Sequence, residues 1–312
     1  MHFIALLIFL VLTKVNYCVL QSTVKPVTTS KLSGYEISCG YQHSDDFFHT
    51  VNDTALSEFP WFAQIKEIHK DDNAKTYSYK FFCSGALITV KHVLTAASCI
   101  TDDKHSQYLR EIVRLGEYNI LTKTDCVEDS QVYECNEEVR NFGIDEIMPH
   151  PDYKIINNIQ RINDIGLITM NGSVSYSDYI RPICLRLPDM PRITDGDELV
   201  TIRFQRSLTN VKPKLTRKFI AREACQTKFP KYLPFFMHEG HMCGTHLNDT
   251  ERNCELNNVG SPVMVNRRYK KNPRWFQVGI ITGTWENCHL SLPDLYTDVS
   301  YYLEWIEKNL EL

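Results

Sequence analysis

Two neighbouring stretches decide the fold of this chain: FCSGALI at residues 82–88 and VLTAASC at residues 93–99. From Glu58 onward the sequence around them repeats one pattern, in which short runs of β-branched and aromatic residues alternate with clusters of turn residues. Clear examples of such runs are Phe81-Phe82, Ile112–Leu115, Ile165–Met170 and Gln277–Thr282. The pattern is typical of an all-β sandwich or barrel. One helix is predicted at residues 301–310, where apolar side chains recur at helical spacing.

Length and composition indicate a globular protein with a full hydrophobic core. The chain has 312 residues, of which 43% are hydrophobic and 23% charged. Its formal net charge of −4 gives no support for nucleic acid as a partner. No cofactor is predicted.

The N-terminus predicts export from the cell. Residues 3–12 form an unbroken apolar run that is too short to span a bilayer but fits the core of a signal peptide, which we assign to residues 1–18. The alternative is a short membrane-associated helix. No later segment has about 20 consecutive apolar residues, so no membrane span is predicted and a secreted product is favoured.

Cysteines and glycosylation motifs agree with secretion. Of eleven cysteines, Cys18 is expected to leave with the signal peptide, and the remaining even number suits a disulfide framework formed in an oxidising compartment. Asn52, Asn171 and Asn248 lie in N-x-S/T motifs and are candidate glycosylation sites. Residues 19–48 form a polar leader.

Further motifs follow one another in a characteristic order along the chain. They are Glu58–Trp61, Phe82–Ile88, Val93–Cys99, Val113–Tyr118, His150–Tyr153, Asn163–Leu167, Tyr179–Leu185 and Leu295–Ile306. Together they resemble the landmarks of the chymotrypsin/trypsin-like (S1) serine proteases. The resemblance implies two six-stranded antiparallel β-barrels with a C-terminal α-helix, in a domain that covers residues 49–312.

Cysteine spacing resembles the secreted clip-type branch of this family in arthropods, although the clip module itself is absent. The resemblance implies that Cys39–Cys184 ties the leader to the barrels. Within the domain it implies the pairs Cys83–Cys99, Cys126–Cys135, Cys225–Cys243 and Cys254–Cys288.

The catalytic triad of the resembled family is incomplete in this chain. The family signature V-L-T-A-A-H-C carries the general base, and here Ser98 stands in place of the histidine. A serine hydroxyl cannot accept a proton from a nucleophile near neutral pH. Asp164 matches the triad aspartate, and without an imidazole to orient we interpret it as a buried structural residue held by backbone donors.

The nucleophile motif is also altered. The family motif C-x-G-D-S-G-G-P is one residue longer here and reads CELNNVGSP at residues 254–262, which puts either Asn258 or Val259 at the position of the nucleophile. Leu256 or Asn257 replaces the glycine of the oxyanion hole. Ser261 is the only nearby hydroxyl, and no motif histidine could activate it.

Activation and substrate specificity depart from the family as well. Zymogens of the family are cut after Arg or Lys, whereas residues 47–52 contain neither, and Asn257 or Asn258 replaces the aspartate that pairs with the new N-terminus. In the former specificity pocket, Arg252 replaces the acid of a trypsin-like floor and Asp294 replaces a wall glycine. Either these two side chains pair and plug the pocket, or both turn to solvent.

A basic loop is a candidate site for a polyanion such as a sulfated glycan. It contains Arg267, Arg268, Lys270, Lys271 and Arg274. A solvated loop without a ligand is the alternative. A second basic stretch, with Lys212, Lys214, Arg217 and Lys218, could extend the same surface.

Three histidines invite comparison with a metal site. His238, His241 and His246 are close in sequence, but their spacing matches no standard zinc motif and the neighbouring Cys243 is expected in a disulfide. No metal site is predicted.

These departures predict a secreted, catalytically inactive serine protease homologue. We expect it to act as a binding adaptor, cofactor or decoy for other secreted proteins, mainly proteases or cascade components, in an immune, clotting-type or reproductive network. The alternatives are a residual or unconventional serine hydrolase and a polyanion- or glycan-binding protein.

Overall fold

Antiparallel strands dominate the computed structural model of the chain. The structure describes residues 39–43, 54–71, 76–101, 110–129, 132–157, 160–186, 190, 192–202, 212–229, 231, 235–246, 259–269, 271–283 and 292–310. The predicted signal peptide and most of the predicted leader lie outside these residues, so the assigned boundaries stay predictions. Among the described residues, no helix is long and apolar enough to cross a membrane.

The first barrel closes through six antiparallel strands in the order β1-β2-β3-β10-β7-β4. Their bounds are β1 Phe62–Asp71, β2 Thr76–Leu87, β3 His92–Thr95, β4 Arg110–Leu115, β7 Arg140–Pro149 and β10 Gly166–Met170. In β4, Val113 and Leu115 are fully buried while the intervening Arg114 is partly exposed, as expected where one face of a strand points into a barrel.

The second barrel contains six strands, of which β16 and β17 pair to close the sheet in the order β12-β13-β14-β17-β16-β15. Their bounds are β12 Glu198–Ile202, β13 Lys214–Ile220, β14 His241–His246, β15 Pro262–Tyr269, β16 Asn272–Gly283 and β17 Asp294–Asp298. A short strand, β11 (Cys184–Leu185), adds to β16 in parallel. The predicted all-β class and the two six-stranded barrels are therefore confirmed.

Smaller elements complete the fold. Two hairpins are β5–β6 (Cys126–Asp129 and Val132–Cys135) and β8–β9 (Lys154–Ile156 and Gln160–Ile162). A short helix, α1 (Arg222–Lys228), has no apolar periodicity and buries only Cys225, which explains why the sequence pattern did not indicate it. The predicted C-terminal helix is present as a 3-10 turn, Val299–Tyr302, followed by α2 (Leu303–Asn309).

One hydrophobic core runs through both barrels. The indole nitrogen of Trp61, just before β1, donates to the sulfur of Met264 in β15 at 3.0 Å. The backbone N–H of Ser84 in β2 donates to the carbonyl of Val259 at 2.9 Å. These contacts tie β2 and the segment before β1 to β15 and the segment that precedes it in the second barrel.

Four of the five disulfides implied by the resemblance are present. They are Cys39–Cys184, Cys83–Cys99, Cys126–Cys135 and Cys225–Cys243. Cys254 and Cys288 lie outside the described residues, so their pairing stays a prediction. The Cys39–Cys184 bond holds the end of the leader against β11, and the backbone of Gly40 exchanges hydrogen bonds with Pro182 and Trp275.

Candidate functional site

Ser98 and Asp164 meet at the boundary between the two barrels. In the pairing of β3 with β10, Thr95 faces Gly166. This pairing brings Ser98, which follows β3, close to Asp164, which precedes β10. Ser98 donates its backbone N–H to one carboxylate oxygen of Asp164 at 2.7 Å and its hydroxyl to the other at 2.9 Å. Thr297 of β17 donates to the backbone carbonyl of Asp164 at 2.9 Å. Ser98 therefore engages both oxygens of the carboxylate that the resemblance assigns to the triad.

Burial controls the protonation of Asp164. Its side chain is almost fully buried, and desolvation raises the carboxyl pKa to about 6. Hydrogen bonds from Ser98 and Ala97 and the nearby charge of Arg161 oppose this shift, because they favour the ionised form. The carboxylate is thus ionised at neutral pH and is held by the donors around it.

Replacing Ser98 with alanine should make the stability of the protein depend more strongly on pH. The hydroxyl stabilises the ionised form of Asp164, so its contribution is full only well above pH 6 and is lost as the pH falls through about 6. We expect S98A to lower the free energy of unfolding by about 1.5–2 kcal/mol at pH 8 and by clearly less at pH 5. Urea denaturation at both pH values measures this difference.

Ser177→Ala is the matched control, since the Ser177 hydroxyl accepts the backbone N–H of Tyr179 rather than donating to a carboxylate. Its effect should be the same at both pH values. An S98A effect that does not change between pH 8 and pH 5 would contradict the assigned role of the hydroxyl.

Arg161 and Tyr153 surround this pair, and no sequence motif assigned either of them to the site. A guanidinium nitrogen of Arg161 in β9 donates to the carbonyl of Thr282 in β16 at 2.6 Å, and its backbone carbonyl accepts from His241 at 2.8 Å. The Tyr153 hydroxyl is close enough to Ser98 and Arg161 for both to lower its pKa, although burial, the largest effect, raises it. Polar side chains therefore crowd the space around Ser98.

On the nucleophile side, the structure describes only the end of the motif. Asn257 and Asn258 lie outside the described residues, so which residue takes the nucleophile position stays open. Val259 is half-buried, and its carbonyl accepts from Ser84. Ser261 is fully buried, and its hydroxyl has no hydrogen-bond partner among the described residues.

Asp294, on the wall of the former specificity pocket, forms an ion pair that no sequence motif indicated. Its carboxylate accepts from Arg217 of β13 at 2.8 Å, and the Tyr296 hydroxyl donates to the same oxygen at 3.3 Å. The Arg217 side chain is only 3% exposed. Arg252 lies outside the described residues, so the predicted pair of Arg252 with Asp294 stays a prediction, and Asp294 is neutralised by Arg217.

Much of the basic loop is engaged within the protein. Arg267 forms an ion pair with Asp197 at 2.8 Å, and Arg274 is buried with its guanidinium 4.2 Å from the centre of the Tyr41 ring. Arg268 and Lys271 are exposed, and Lys270 lies outside the described residues. The hairpin β15–β16 therefore uses its basic residues in part to hold the leader, and the sulfated glycan ligand stays a prediction.

Most of the second basic stretch is also partnered. Lys212 donates to the backbone carbonyl of Glu58 at 2.7 Å, and Lys214 forms an ion pair with the Glu58 carboxylate at 2.9 Å. With Arg217 bound to Asp294, only Lys218 of the stretch is exposed. These cations fix the strand β13 to its surroundings instead of extending a basic surface.

Within the histidine cluster, His241 makes hydrogen bonds to the backbone of two other residues. Burial lowers the pKa of His241 to about 4, so the ring is neutral at physiological pH. Its Nε2 donates to the Arg161 carbonyl, and its Nδ1 accepts the backbone N–H of His238 at 3.3 Å. Within the described part of the chain, no three His, Cys, Asp or Glu side chains are grouped so as to hold a metal ion.

One glycosylation candidate falls within the described residues. Asn171 is exposed in the turn after β10. Asn52 and Asn248 lie outside the described residues, and the use of all three motifs stays a prediction.

Comparisons with known proteins agree with the fold. The family model described as Trypsin matches residues 50–306. CLIP domain-containing serine protease B10 of Anopheles gambiae is 32% identical over 277 residues, which cover 87% of this chain and 72% of that protein. Melanization protease 1 of Drosophila melanogaster is 30% identical over 300 residues, which cover 92% of this chain and 72% of that protein.

Two further proteins are similar. Phenoloxidase-activating factor 1 of Holotrichia diomphalia is 29% identical over 87% of this chain and 72% of its own. The crystal structure of the Drosophila Grass clip serine protease of the Toll pathway superposes on this chain with a TM-score of 0.66. The match covers 88% of this chain and 75% of that chain at 23% identity, and so supports the fold. With a family match over most of its length and relatives above 30% identity, the chain belongs to the trypsin family of serine proteases.

Proposed function

We propose that the protein is a secreted, catalytically inactive member of the trypsin family that acts by binding other proteins of an extracellular protease cascade. The hydrogen bonding of Ser98 to both oxygens of Asp164 carries this proposal. Where an active member of the family needs an imidazole between its aspartate and its nucleophile, this chain offers a hydroxyl that donates to the aspartate and cannot act as a base.

Two further observations support inactivity. Ser261, the hydroxyl nearest to the altered nucleophile motif, is fully buried and cannot meet a substrate. Arg161, whose charge acts on the Asp164 carboxylate, donates to the carbonyl of Thr282 and so occupies that backbone acceptor. Loss of a triad member costs roughly 10⁴–10⁶ in turnover, and losses within the triad are not additive.

The setting is inferred from the relatives. Several of them are named as clip proteases, as a phenoloxidase-activating factor or as a melanization protease. A protein that keeps the barrels and disulfides of such enzymes can present a rigid surface to the same partners after the chemistry is lost. We therefore place it beside active proteases of insect-type immune and melanization cascades, as an adaptor, cofactor or decoy.

Catalytic inactivity is tested with a fluorophosphonate probe and with peptide amide substrates. The full secreted chain should remain unlabelled, and its turnover should be at least about 10⁴-fold below that of an active clip protease assayed beside it. Stoichiometric labelling of any serine would contradict the proposal. It would support the alternative of an unconventional hydrolase.

A cascade role is tested separately in insect haemolymph. Added at micromolar concentration before a microbial elicitor, the protein should change phenoloxidase activity at least about twofold in either direction, and crosslinking should trap it on a clip-type protease. An unrelated disulfide-bonded secreted protein at the same concentration is the control. Unchanged activity together with no protease in the crosslinked material would contradict the cascade role and leave inactivity standing.

A further inference from the structure

A cavity of about 370 Å³ opens in the second barrel, and Ser98 is not among the residues that line it. Its walls come from the segment between β11 and β12, the end of β13, the start of α1 and of β14, and the turn after β17. This volume lies within the range of small-molecule sites in proteins. None of its lining residues is one that we assigned to the altered triad or to the former specificity pocket.

Arginine side chains are the main charged groups of the cavity. Arg186, Arg192 and Arg222 all line it. One guanidinium nitrogen of Arg186 donates to the Met190 carbonyl at 2.9 Å, while its Nε is buried and has no hydrogen-bond partner among the described residues. A buried N–H without an acceptor costs free energy, so a ligand oxygen placed there would be stabilised.

The other two arginines differ in how firmly they are held. Arg222 donates to the backbone carbonyls of Met237, His238 and Glu239 and is thereby fixed at the cavity wall. Arg192 is exposed, and none of the ion pairs found among the described residues involves it. One arginine is therefore held by backbone carbonyls, and another is exposed to solvent.

The cavity contains a single acid among its lining residues. Asp298 accepts the backbone N–H of Ser300 at 2.9 Å, so its carboxylate caps the turn that follows β17. His241, which also lines the cavity, is the neutral ring described above. Three guanidinium groups against one carboxylate leave the lining positive, which favours an anionic ligand.

Apolar side chains supply the rest of the wall. They are Ile193, Phe219, Ile220, Met242 and Val278. Met242 and Val278 are buried strand residues at the base of the cavity, whereas Tyr301, at 49% exposure, stands at its mouth. A cavity with an apolar base and arginines on its walls suits a ligand that has an anionic group and an apolar body.

We propose that this cavity binds a small organic carboxylate, with its carboxylate among Arg186, Arg192 and Arg222 and its apolar body against Phe219, Met242 and Val278. The site is independent of the proposed function, because it requires neither catalysis nor inactivity at Ser98. It gives the protein a way to respond to a small metabolite.

The test uses two fluorinated probes of the same shape. In ¹⁹F NMR titrations of the full chain, 4-(trifluoromethyl)benzoate should bind with a Kd of about 10⁻⁴ M, as expected for a ligand of this size. The neutral 4-(trifluoromethyl)benzamide should bind at least about tenfold more weakly. The ¹³C-methyl resonance of Met242 should shift during the benzoate titration, whereas that of Met148, in the first barrel, should stay in place.

Variants of two arginines locate the site. Arg192→Met and Arg186→Met should each weaken benzoate binding at least about fivefold, and the exposed position of Arg192 makes the first variant compatible with folding. Arg268→Met is the matched control, because Arg268 is an exposed arginine that does not line the cavity. Equal binding of benzoate and benzamide, an unmoved Met242 resonance, or equal effects of R192M and R268M would each overturn the proposal.

Discussion

Replacing Gly260 with alanine should lower the free energy of unfolding by about 3–5 kcal/mol. Gly260 lies just before β15 with a φ of +86°, and a Cβ built there falls closer than 3.0 Å to the Ser84 carbonyl oxygen and the Thr95 hydroxyl. The neighbouring atoms are backbone and a buried side chain, which cannot give way without moving β2 or β3. The expected loss combines backbone strain with overpacking in the core.

Gly196→Ala separates the two effects. Gly196 has almost the same φ, +85°, but a Cβ built there meets nothing within 4 Å. It should therefore cost only the strain of the left-handed backbone, about 1–2 kcal/mol. Thermal denaturation of both variants measures the difference, which should reach at least about 5 °C in Tm. Equal losses at the two positions would show that the close approach of Gly260 to β2 is not a constraint on stability.

Removing the carboxylate of Asp294 should produce the second large loss. Asp294→Ala leaves the guanidinium of Arg217 buried without its ion-pair partner, at only 3% exposure. Breaking such a pair costs roughly 3–5 kcal/mol where both groups are buried. Because the Asp294 side chain is 24% exposed, we expect about 2–4 kcal/mol here, measured by urea denaturation.

A double variant shows whether the loss comes from the unpaired charge. In R217M/D294A no charge remains at the site, and the stability should recover by at least about half of the single-variant loss, because apolar replacements of buried pairs are well tolerated. Glu138→Ala removes one partner of an exposed pair with Lys123 and should change nothing measurable. A double variant as unstable as D294A would mean that packing, rather than charge, sets the cost.

The parts of this molecule that follow from local motifs could be predicted. The two barrels and the four observed disulfides depend on segments whose order along the chain is characteristic of the family. The contact of Ser98 with Asp164 follows from the same motifs, since the strands β3 and β10 that carry them pair directly.

Contacts between distant segments could not be predicted in the same way. Alternation along β13 places Leu215, Arg217 and Phe219 on one face, but the partner of Arg217 depends on β17, 77 residues away in sequence. Arg161 meets Thr282 across 121 residues. The basic loop shows the same difficulty, because counting its charges gave no sign that Tyr41, 233 residues earlier, covers Arg274.

The Cys39–Cys184 bond determines how a cut in this chain could be seen. Any single cleavage between these two residues yields fragments that remain joined by a covalent bond between sulfur atoms. The cleaved molecule keeps almost the same mass under non-reducing conditions and separates into two polypeptides only after reduction. A preparation that runs as one band without reductant is therefore no evidence that the polypeptide is continuous.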